Sequence, residues 1–77
     1  MPDTMTNMDL VFADLLSPNQ IMEGDLIKVD NEIMRVISAV ENKEGVNVVL
    51  LNDFEEKVET FFFDDEKIEL YVFVDRE

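Results

Sequence analysis

The sequence predicts an all-β domain, a five-stranded antiparallel small barrel preceded by a short N-terminal flap. Five runs rich in β-branched and aromatic residues follow one another between positions 26 and 74, and such residues favour strands. Short loops join these runs, whereas parallel neighbours need a crossover of a dozen or more residues. We expect a barrel because closing the sheet removes unprotected strand edges. At 77 residues, the chain is expected to fold around one core.

The N-terminal residues are expected to lie outside the barrel. Positions 1–8 carry no periodic apolar pattern and predict a mobile arm. Positions 9–20 predict a short flap, whose first half, 9–16, has apolar spacings compatible with one helical face. An extended strand is the alternative, and the Ser-Pro pair that follows ends either structure because proline disfavours helical geometry in the preceding residue. The barrel domain is expected to span 21–77.

The five predicted strands begin after a Gly-Asp turn signal. They span 26–30, 32–40, 46–51, 57–63 and 67–74. Asp30 and Asn31 suit a two-residue hairpin loop, because both residue types tolerate a positive φ. Strand side chains alternate between the two faces of a sheet, so one face forms the predicted core. Its members are Ile27, Val29, Met34, Val36, Val40, Val48, Leu50, Val58, Phe62 and Ile68.

The most apolar stretch is 58–74, where two apolar runs flank an acidic turn. We expect these runs to pair as a hairpin that closes the barrel. Five of the seven aromatic residues lie here. They are Phe61, Phe62, Phe63, Tyr71 and Phe73. Alternation directs Phe62 inward and Phe61 and Phe63 outward, so the outward pair needs cover.

Two accounts of this cover remain open. In the first, the 9–16 segment folds over the outward aromatic residues. In the second, a partner protein or a second copy covers them, and the C-terminal edge strand offers its free side for pairing. The acidic turn lies beside this surface, so it is included in the candidate site. The candidate partner-binding residues are Phe61, Phe63, Tyr71, Phe73, Asp64 and Asp65.

The charge balance restricts the partners. The formal net charge is −13, from 19 acidic and 6 basic residues. Binding to a phosphate backbone needs clustered Lys and Arg, so direct nucleic-acid binding is not expected. Anionic membrane surfaces would repel the chain, and no apolar stretch is long enough to span a bilayer. We therefore expect a protein partner, and a basic one fits this charge best.

No catalytic, metal or cofactor site is predicted, so the protein is not expected to be an enzyme. There is no cysteine or histidine, which removes the usual zinc ligands and the commonest general base. The acidic turn with Glu55 or Glu56 offers oxygen ligands for Ca²⁺, but no calcium-loop motif is present, and solvated carboxylates are the simpler interpretation. The absence of cysteine and of a secretory signal predicts a cytoplasmic location.

The order of turns and strands carries a resemblance to a known family. Glu23-Gly24-Asp25 precedes IKVDNEIMRVISAV, and Glu59-Thr60-Phe61-Phe62 precedes Glu66-Lys67-Ile68-Glu69. Over 22–70 this layout resembles the N-terminal domain of bacterial elongation factor P, which implies an SH3-like (KOW-like) barrel. That family uses a long, glycine-rich basic loop, whereas the equivalent connection here is 41–45, with Lys43 between two glutamates. We therefore assign to no residue of this chain the role that the basic residue of that loop has in the family.

The sequence as a whole predicts a non-catalytic acidic protein-interaction module, such as a phage or accessory factor. One alternative is a nucleic-acid mimic that inhibits a basic nucleic-acid-binding protein. Carboxylates at alternate positions along a strand, about 6–7 Å apart, would match the spacing of phosphates. The other alternative, from the resemblance, is a translation-factor-like ribosome binder.

Overall fold

The computed structural model describes residues 8–75, which form one six-stranded antiparallel sheet. The strands are β1 (Met8–Leu16), β2 (Leu26–Val29), β3 (Glu32–Glu41), β4 (Gly45–Leu51), β5 (Lys57–Phe63) and β6 (Ile68–Asp75). A 3₁₀ turn, Pro18–Gln20, joins β1 to β2. The strand order is β1-β6-β2-β3-β4-β5. The all-β prediction is confirmed, whereas the predicted mobile arm lies outside the described residues except for Met8.

The predicted count of five strands is wrong because the proposed flap contains a sixth. Residues 9–16 form the extended strand that the sequence left as the alternative, and not a helix or a flap, since β1 pairs with β6 from Met8↔Asp75 to Leu16↔Ile68. Two turns of helix are unstable alone, while pairing with β6 satisfies the backbone of β1 along one side. The 3₁₀ turn after β1 is closed by Gln20, whose N–H donates to the Ser17 carbonyl oxygen at 2.9 Å.

The β2–β3 hairpin forms as predicted. Asp30 and Asn31 have φ values of 53° and 68°, and β2 pairs with β3 from Val29↔Glu32 inward. A two-residue turn with two positive φ values matches the right-handed twist of the flanking strands. The local sequence was therefore sufficient to locate this turn.

The predicted hairpin over 58–74 is wrong. β5 pairs with β4, whereas β6 lies between β1 and β2, with Leu26↔Tyr71 and Ile27↔Leu70 as register partners. At positions 69–71, β6 has backbone partners on both sides, which a terminal hairpin would not provide. Residues 72–75 pair only with β1 and keep one free side, so self-association through the C-terminal strand stays a prediction. The edge strands of the described sheet are β1 and β5.

One face of the sheet carries the core. The buried apolar residues are Leu16, Ile21, Ile27, Met34, Val36, Val46, Val48, Leu50, Phe62 and Ile68. Ile27 and Leu50 are 0% exposed although residues 8–75 form no second layer over them. The sheet must therefore curl over its own inner face, and Leu16 and Ile21 add cover beside the 3₁₀ turn. Within the described chain β1 does not pair with β5, so the sheet stays open between its edges.

The core prediction is confirmed at most positions and wrong at one. Seven of the ten predicted residues are buried, and Val29 and Val58 pack half-buried against them. Val40 is 61% exposed, because a bulge between Val36 and Ser38 reverses the alternation of β3. Ala39 packs against the core in its place.

Candidate functional site

The six predicted partner-binding residues fall into two groups that the sheet separates. Phe61 and Phe63 lie on β5, while Tyr71 and Phe73 lie on β6. Because β2, β3 and β4 intervene, the two aromatic pairs do not share one hairpin face. The structure therefore does not bring the predicted set together as one surface.

Phe61 and Phe63 cover each other in part. Their rings meet edge to face with centroids 4.9 Å apart, a favourable aromatic geometry. Phe61 is half-buried, whereas Phe63 remains 53% exposed. The expectation that 9–16 covers this pair is wrong, because that segment pairs with β6 at the other end of the sheet order.

The acidic turn after β5 is held by its third carboxylate. Glu66 Oε2 accepts a 2.9 Å hydrogen bond from the backbone N–H of Phe63, and the backbone N–H of Glu66 donates to the Phe63 carbonyl oxygen. Asp64 and Asp65 are both exposed. Among residues 8–75, no group of three or more acidic side chains is placed to hold a metal ion. The turn is therefore an ordered connection between β5 and β6, with Asp64 and Asp65 exposed to solvent.

The most apolar exposed surface lies at the other edge of the sheet. Beyond Tyr71, β6 pairs only with β1, so residues 8–11 and 72–75 form a two-stranded segment that we call the terminal ribbon. Leu10 and Phe73 are register partners on one face. Val11 and Val72 are partners on the other. Both faces of the terminal ribbon are thus apolar.

Exposure of the terminal ribbon is high for large apolar side chains. Phe73 is 52% exposed and Leu10 37%, and Phe12, which follows in β1, is 53% exposed. Of the eleven exposed large apolar residues in the described part of the chain, seven lie on β1 and β6. The register places four of them on one face of the two strands and three on the other, so they form two apolar patches rather than one. These patches are a candidate interaction surface.

The outer face of the central strands β2, β3 and β4 differs in charge from the rest of the protein, although Glu69 of β6 lies directly opposite Lys28. Register partners share a face, and one row of partners crosses all six strands. It runs Phe12, Tyr71, Leu26, Arg35, Leu51 and Lys57. Lys28 lies on the same face, two residues from Leu26. On the outer face of β2, β3 and β4, the register places no charged side chains other than Lys28 and Arg35.

An open groove of about 680 Å³ lies on this outer face. Its walls include Leu26, Ile33 and Leu51, with Lys28 and Arg35 among them. The groove also contacts Leu10 and Phe73 of the terminal ribbon at one end and Asn52 and Asp53 at the other. The volume falls in the range of ligand-binding clefts, and the walls combine aliphatic surface with two cations and with the carboxylates of Glu32 and Asp53.

Tyr71 lies on the outer face of β6, next to the first residue of the terminal ribbon in that strand. Its hydroxyl donates a 2.9 Å hydrogen bond to Glu69 Oε1, and its ring meets Phe12 edge to face at 6.0 Å. Lys28 Nζ lies 6.0 Å from the ring centroid. The hydrogen bond to Glu69 is the main cause that raises the pKa of Tyr71 above its usual value, because a phenolate there would face a carboxylate.

We predict that the phenol of Tyr71 titrates above pH 10 and that Glu69→Gln lowers its pKa toward that value. Since Tyr71 is the only tyrosine and there is no tryptophan, phenolate absorbance reports it alone. A raised folded-state pKa contributes stability that is present below the unfolded pKa and lost as pH rises through the folded pKa. Glu59→Gln is the control. An equal shift of the Tyr71 pKa in both variants would contradict the assignment of the raised pKa to the hydrogen bond with Glu69.

The sequence did not predict that β1 forms an edge of the sheet, nor that a groove lies on the outer face. The signal for the groove was present, because alternation places Lys28 and Arg35 opposite the core positions Ile27 and Met34. The role of β1 depends on its pairing with β6, which is a contact between the two ends of the chain. No local pattern determines such a pairing.

Comparison with known proteins does not assign this chain to a family. No family model matches this chain, and neither the curated proteins nor the solved structures provide a match. The resemblance to the N-terminal domain of elongation factor P therefore stays a prediction. Within residues 8–75, none of the helical structure is long and apolar enough to cross a membrane.

Proposed function

We propose that the chain is a non-catalytic, acidic protein-interaction module that binds an extended segment of a basic partner along strand β1. The observation that carries the proposal is the terminal ribbon, apolar on both faces and bordered by an edge strand. Two strands alone are marginally stable in water. A third strand added to β1 would widen the ribbon and cover part of its apolar surface.

Strand β1 has few of the features that protect natural edge strands. Lysine, proline and bulges commonly block pairing at an edge. β1 has neither lysine nor proline, and its one bulge lies at Ala13, between Phe12 and Asp14. The stretch before this bulge is regular and pairs residue by residue with β6. It is the part of β1 to which we assign strand addition.

The charges of β1 and β6 favour a basic partner. β1 and β6 carry four carboxylates and no lysine or arginine. They are those of Asp9, Asp14, Glu69 and Asp75. A basic segment is attracted by these groups and by the net charge of −13, which also accelerates encounter. A second copy would meet like charges at this edge, so we assign the edge to a different protein.

The test uses a synthetic peptide of alternating lysine and valine, with oligolysine and alternating glutamate and valine as controls. We expect the lysine–valine peptide to bind and to shift the backbone amide resonances of β1. Phe12→Ser should weaken this binding by about tenfold or more, as loss of an aromatic anchor does. Phe63→Ser is the matched control, because Phe12 and Phe63 are both 53% exposed but lie on opposite edge strands.

Two results would contradict the proposal. Equal affinity for oligolysine would mean that charge alone accounts for binding. A larger loss with Phe63→Ser than with Phe12→Ser would move the site to β5, where the sequence placed Phe61 and Phe63. Melting curves of both variants show whether any loss reflects unfolding instead.

We also propose that strands β2–β6 form an SH3-like barrel to which β1 is added as a further strand. Support comes from the continuous meander of β2 to β5, the return of β6 beside β2, and the buried residues at the centre of the inner face. This is the arrangement implied by the resemblance to elongation factor P. A cytoplasmic accessory role fits a cysteine-free acidic chain.

The strand geometry does not favour nucleic-acid mimicry. Mimicry of phosphates along a strand needs carboxylates at alternate positions. No strand within residues 8–75 has this pattern, and acidic residues are concentrated in the loops instead. The proposal of an edge-binding module is therefore better supported than that of a mimic.

A further inference from the structure

We infer that the segment bound along β1 alternates apolar and basic residues, with its apolar side chains on the outer face of the sheet and its basic side chains on the inner face. This inference rests on the proposed function and specifies the partner of the same site. Two features of β1 carry it. They are the direction of its free backbone groups and the separation of its apolar and acidic side chains between the two faces.

The hydrogen-bond pattern of the sheet determines which backbone groups of β1 are free. Opposite residues of an antiparallel pair alternate between hydrogen-bonded and non-hydrogen-bonded pairs. The backbone N–H of Val36 donates to the Asp25 carbonyl oxygen at 2.8 Å. Alternation from this bond along the registers of β2 and β6 makes Val11 of β1 hydrogen-bonded to β6. The backbone N–H and C=O groups of Leu10 and Phe12 therefore point away from β6, toward the free side of β1.

Strand addition on this side pairs the partner with Leu10 and Phe12 through backbone hydrogen bonds. A partner residue opposite Val11 then occupies a non-hydrogen-bonded position, where opposite Cα atoms are only about 4.5 Å apart and side chains are closer. The bulge at Ala13 interrupts the regular spacing, so regular pairing is confined to positions 8–12. Each face of the added strand therefore meets a defined set of β1 side chains.

The outer face of β1 favours apolar side chains of the partner. Leu10 and Phe12 lie on this face, and both are exposed. The acidic side chains on this face of the two paired strands belong to β6 rather than to the edge strand. Glu69 lies opposite Lys28, and Asp75 lies at the end of the described chain. Apolar side chains fit here because they remove the exposed surface of Leu10 and Phe12 from water.

The inner face of β1 favours basic side chains of the partner. Asp14 is the register partner of Leu70, which packs against the core, and Asp9 shares the face of Val11 by alternation. Both carboxylates of β1 thus lie on the inner face, and neither β1 nor β6 contains lysine or arginine. A lysine opposite Val11 packs its apolar stem on the valine and extends its ammonium group toward Asp14.

The test compares two peptides of equal composition, one that alternates lysine and valine and one that has its lysines and valines in separate blocks. We expect the alternating peptide to bind the full chain about tenfold more tightly, because only this peptide separates the two residue types between the faces. Equal affinities, with the β1 amide resonances shifted by both peptides, would overturn the inference and leave strand addition at β1 intact. Binding of neither peptide would overturn both the inference and the proposed function.

Intermolecular nuclear Overhauser effects test the assignment of the faces. In the complex with the alternating peptide, we expect the valine methyl groups to contact Leu10 and Phe12 and the lysine side chains to contact Val11. Valine methyl groups against Val11, with lysine side chains against Phe12, would overturn the inference.

Removal of one carboxylate tests the charge of the inner face. Asp14→Asn should weaken binding of the alternating peptide by about threefold, the effect of losing an exposed ion pair. Asparagine keeps a side-chain oxygen for the backbone N–H of Leu15, which donates to Asp14 Oδ1 at 2.8 Å. Glu44→Gln is the matched control, because it removes one exposed negative charge in the turn between β3 and β4 and should weaken binding less. Equal weakening in two variants that circular dichroism shows to be folded would overturn the inference, because net charge alone would then attract the lysines.

Discussion

Gly45→Ala is expected to destabilise the protein by about 3 kcal/mol or more, at the upper end of the cost of overpacking. A Cβ at Gly45 would overlap the carbonyl oxygen of Phe62 and would lie 2.9 Å from Cζ of Phe61. The carbonyl group belongs to the backbone of β5, so relief requires β4 and β5 to separate. Such a loss is a large part of the total stability of a small domain.

Gly24→Ala is the matched control for this prediction. Gly24 has a φ of +95°, and no atom lies within 4 Å of a Cβ added there. The substitution should lower stability by about 1 kcal/mol, because alanine is strained at this positive φ. Urea unfolding of both variants separates the two effects, and a Gly45→Ala midpoint no lower than that of Gly24→Ala would show that β5 does not approach Gly45 this closely.

Gly45 also explains how the aromatic pair of β5 is covered. Phe63 is the register partner of Gly45, and the ring of Phe61 lies close to the glycine. The absence of a side chain at Gly45 leaves room for the edge-to-face contact between the two rings. The sequence indicated that these rings needed cover. It could not show that the two rings partly cover each other in the space left by a glycine on the neighbouring strand.

Features that depend on local sequence were predictable. The bounds of β5 agree with the prediction of 57–63, and the positive φ values of Asp30 and Asn31 follow from their residue types. The alternation of side chains along each strand correctly assigned Ile27, Met34 and Leu50 to the core. These features need only alternation and turn chemistry, which act over a few residues.

Features that depend on distant pairing were not predictable. The short connection between β5 and β6 favoured a hairpin, but β6 lies beside β2 and β1 instead. The terminal ribbon and the groove both depend on this placement, because Leu10 and Phe73 meet only when the two ends of the chain pair. Of the residues named from the sequence, Phe73 lies on the terminal ribbon and lines the groove, but the sequence did not indicate either surface.

The charge distribution distinguishes the terminal ribbon from the groove. The terminal ribbon carries carboxylates and no cations, which suits a basic partner. The groove carries two of the six basic residues of the chain, but Glu32 and Asp53 also line it and balance their charge. The charge argument for a basic partner therefore applies to the terminal ribbon and not to the groove, because charge complementarity is local.

Val36→Ala is expected to cost about 2 kcal/mol, whereas Val40→Ala should cost less than about 0.5 kcal/mol. Both valines lie on β3, four residues apart, and simple alternation places both in the core. Val36 is 1% exposed and Val40 is 61% exposed. The pair therefore measures the effect of the bulge with residue type and strand held constant.

The bulge arises where β3 exchanges hydrogen-bonding partners. The backbone N–H of Val36 donates to the Asp25 carbonyl oxygen, and its own carbonyl oxygen accepts from Gly24, each at 2.8 Å. On the other side, Val36 pairs with Leu50 and Ser38 with Val49, so Ile37 is the extra residue. Equal costs for the two substitutions in urea unfolding would mean that β3 continues without a bulge, with Val40 directed into the core. A large cost at Val36 alone would confirm that the extra residue directs Ala39 inward and leaves Val40 on the outer face.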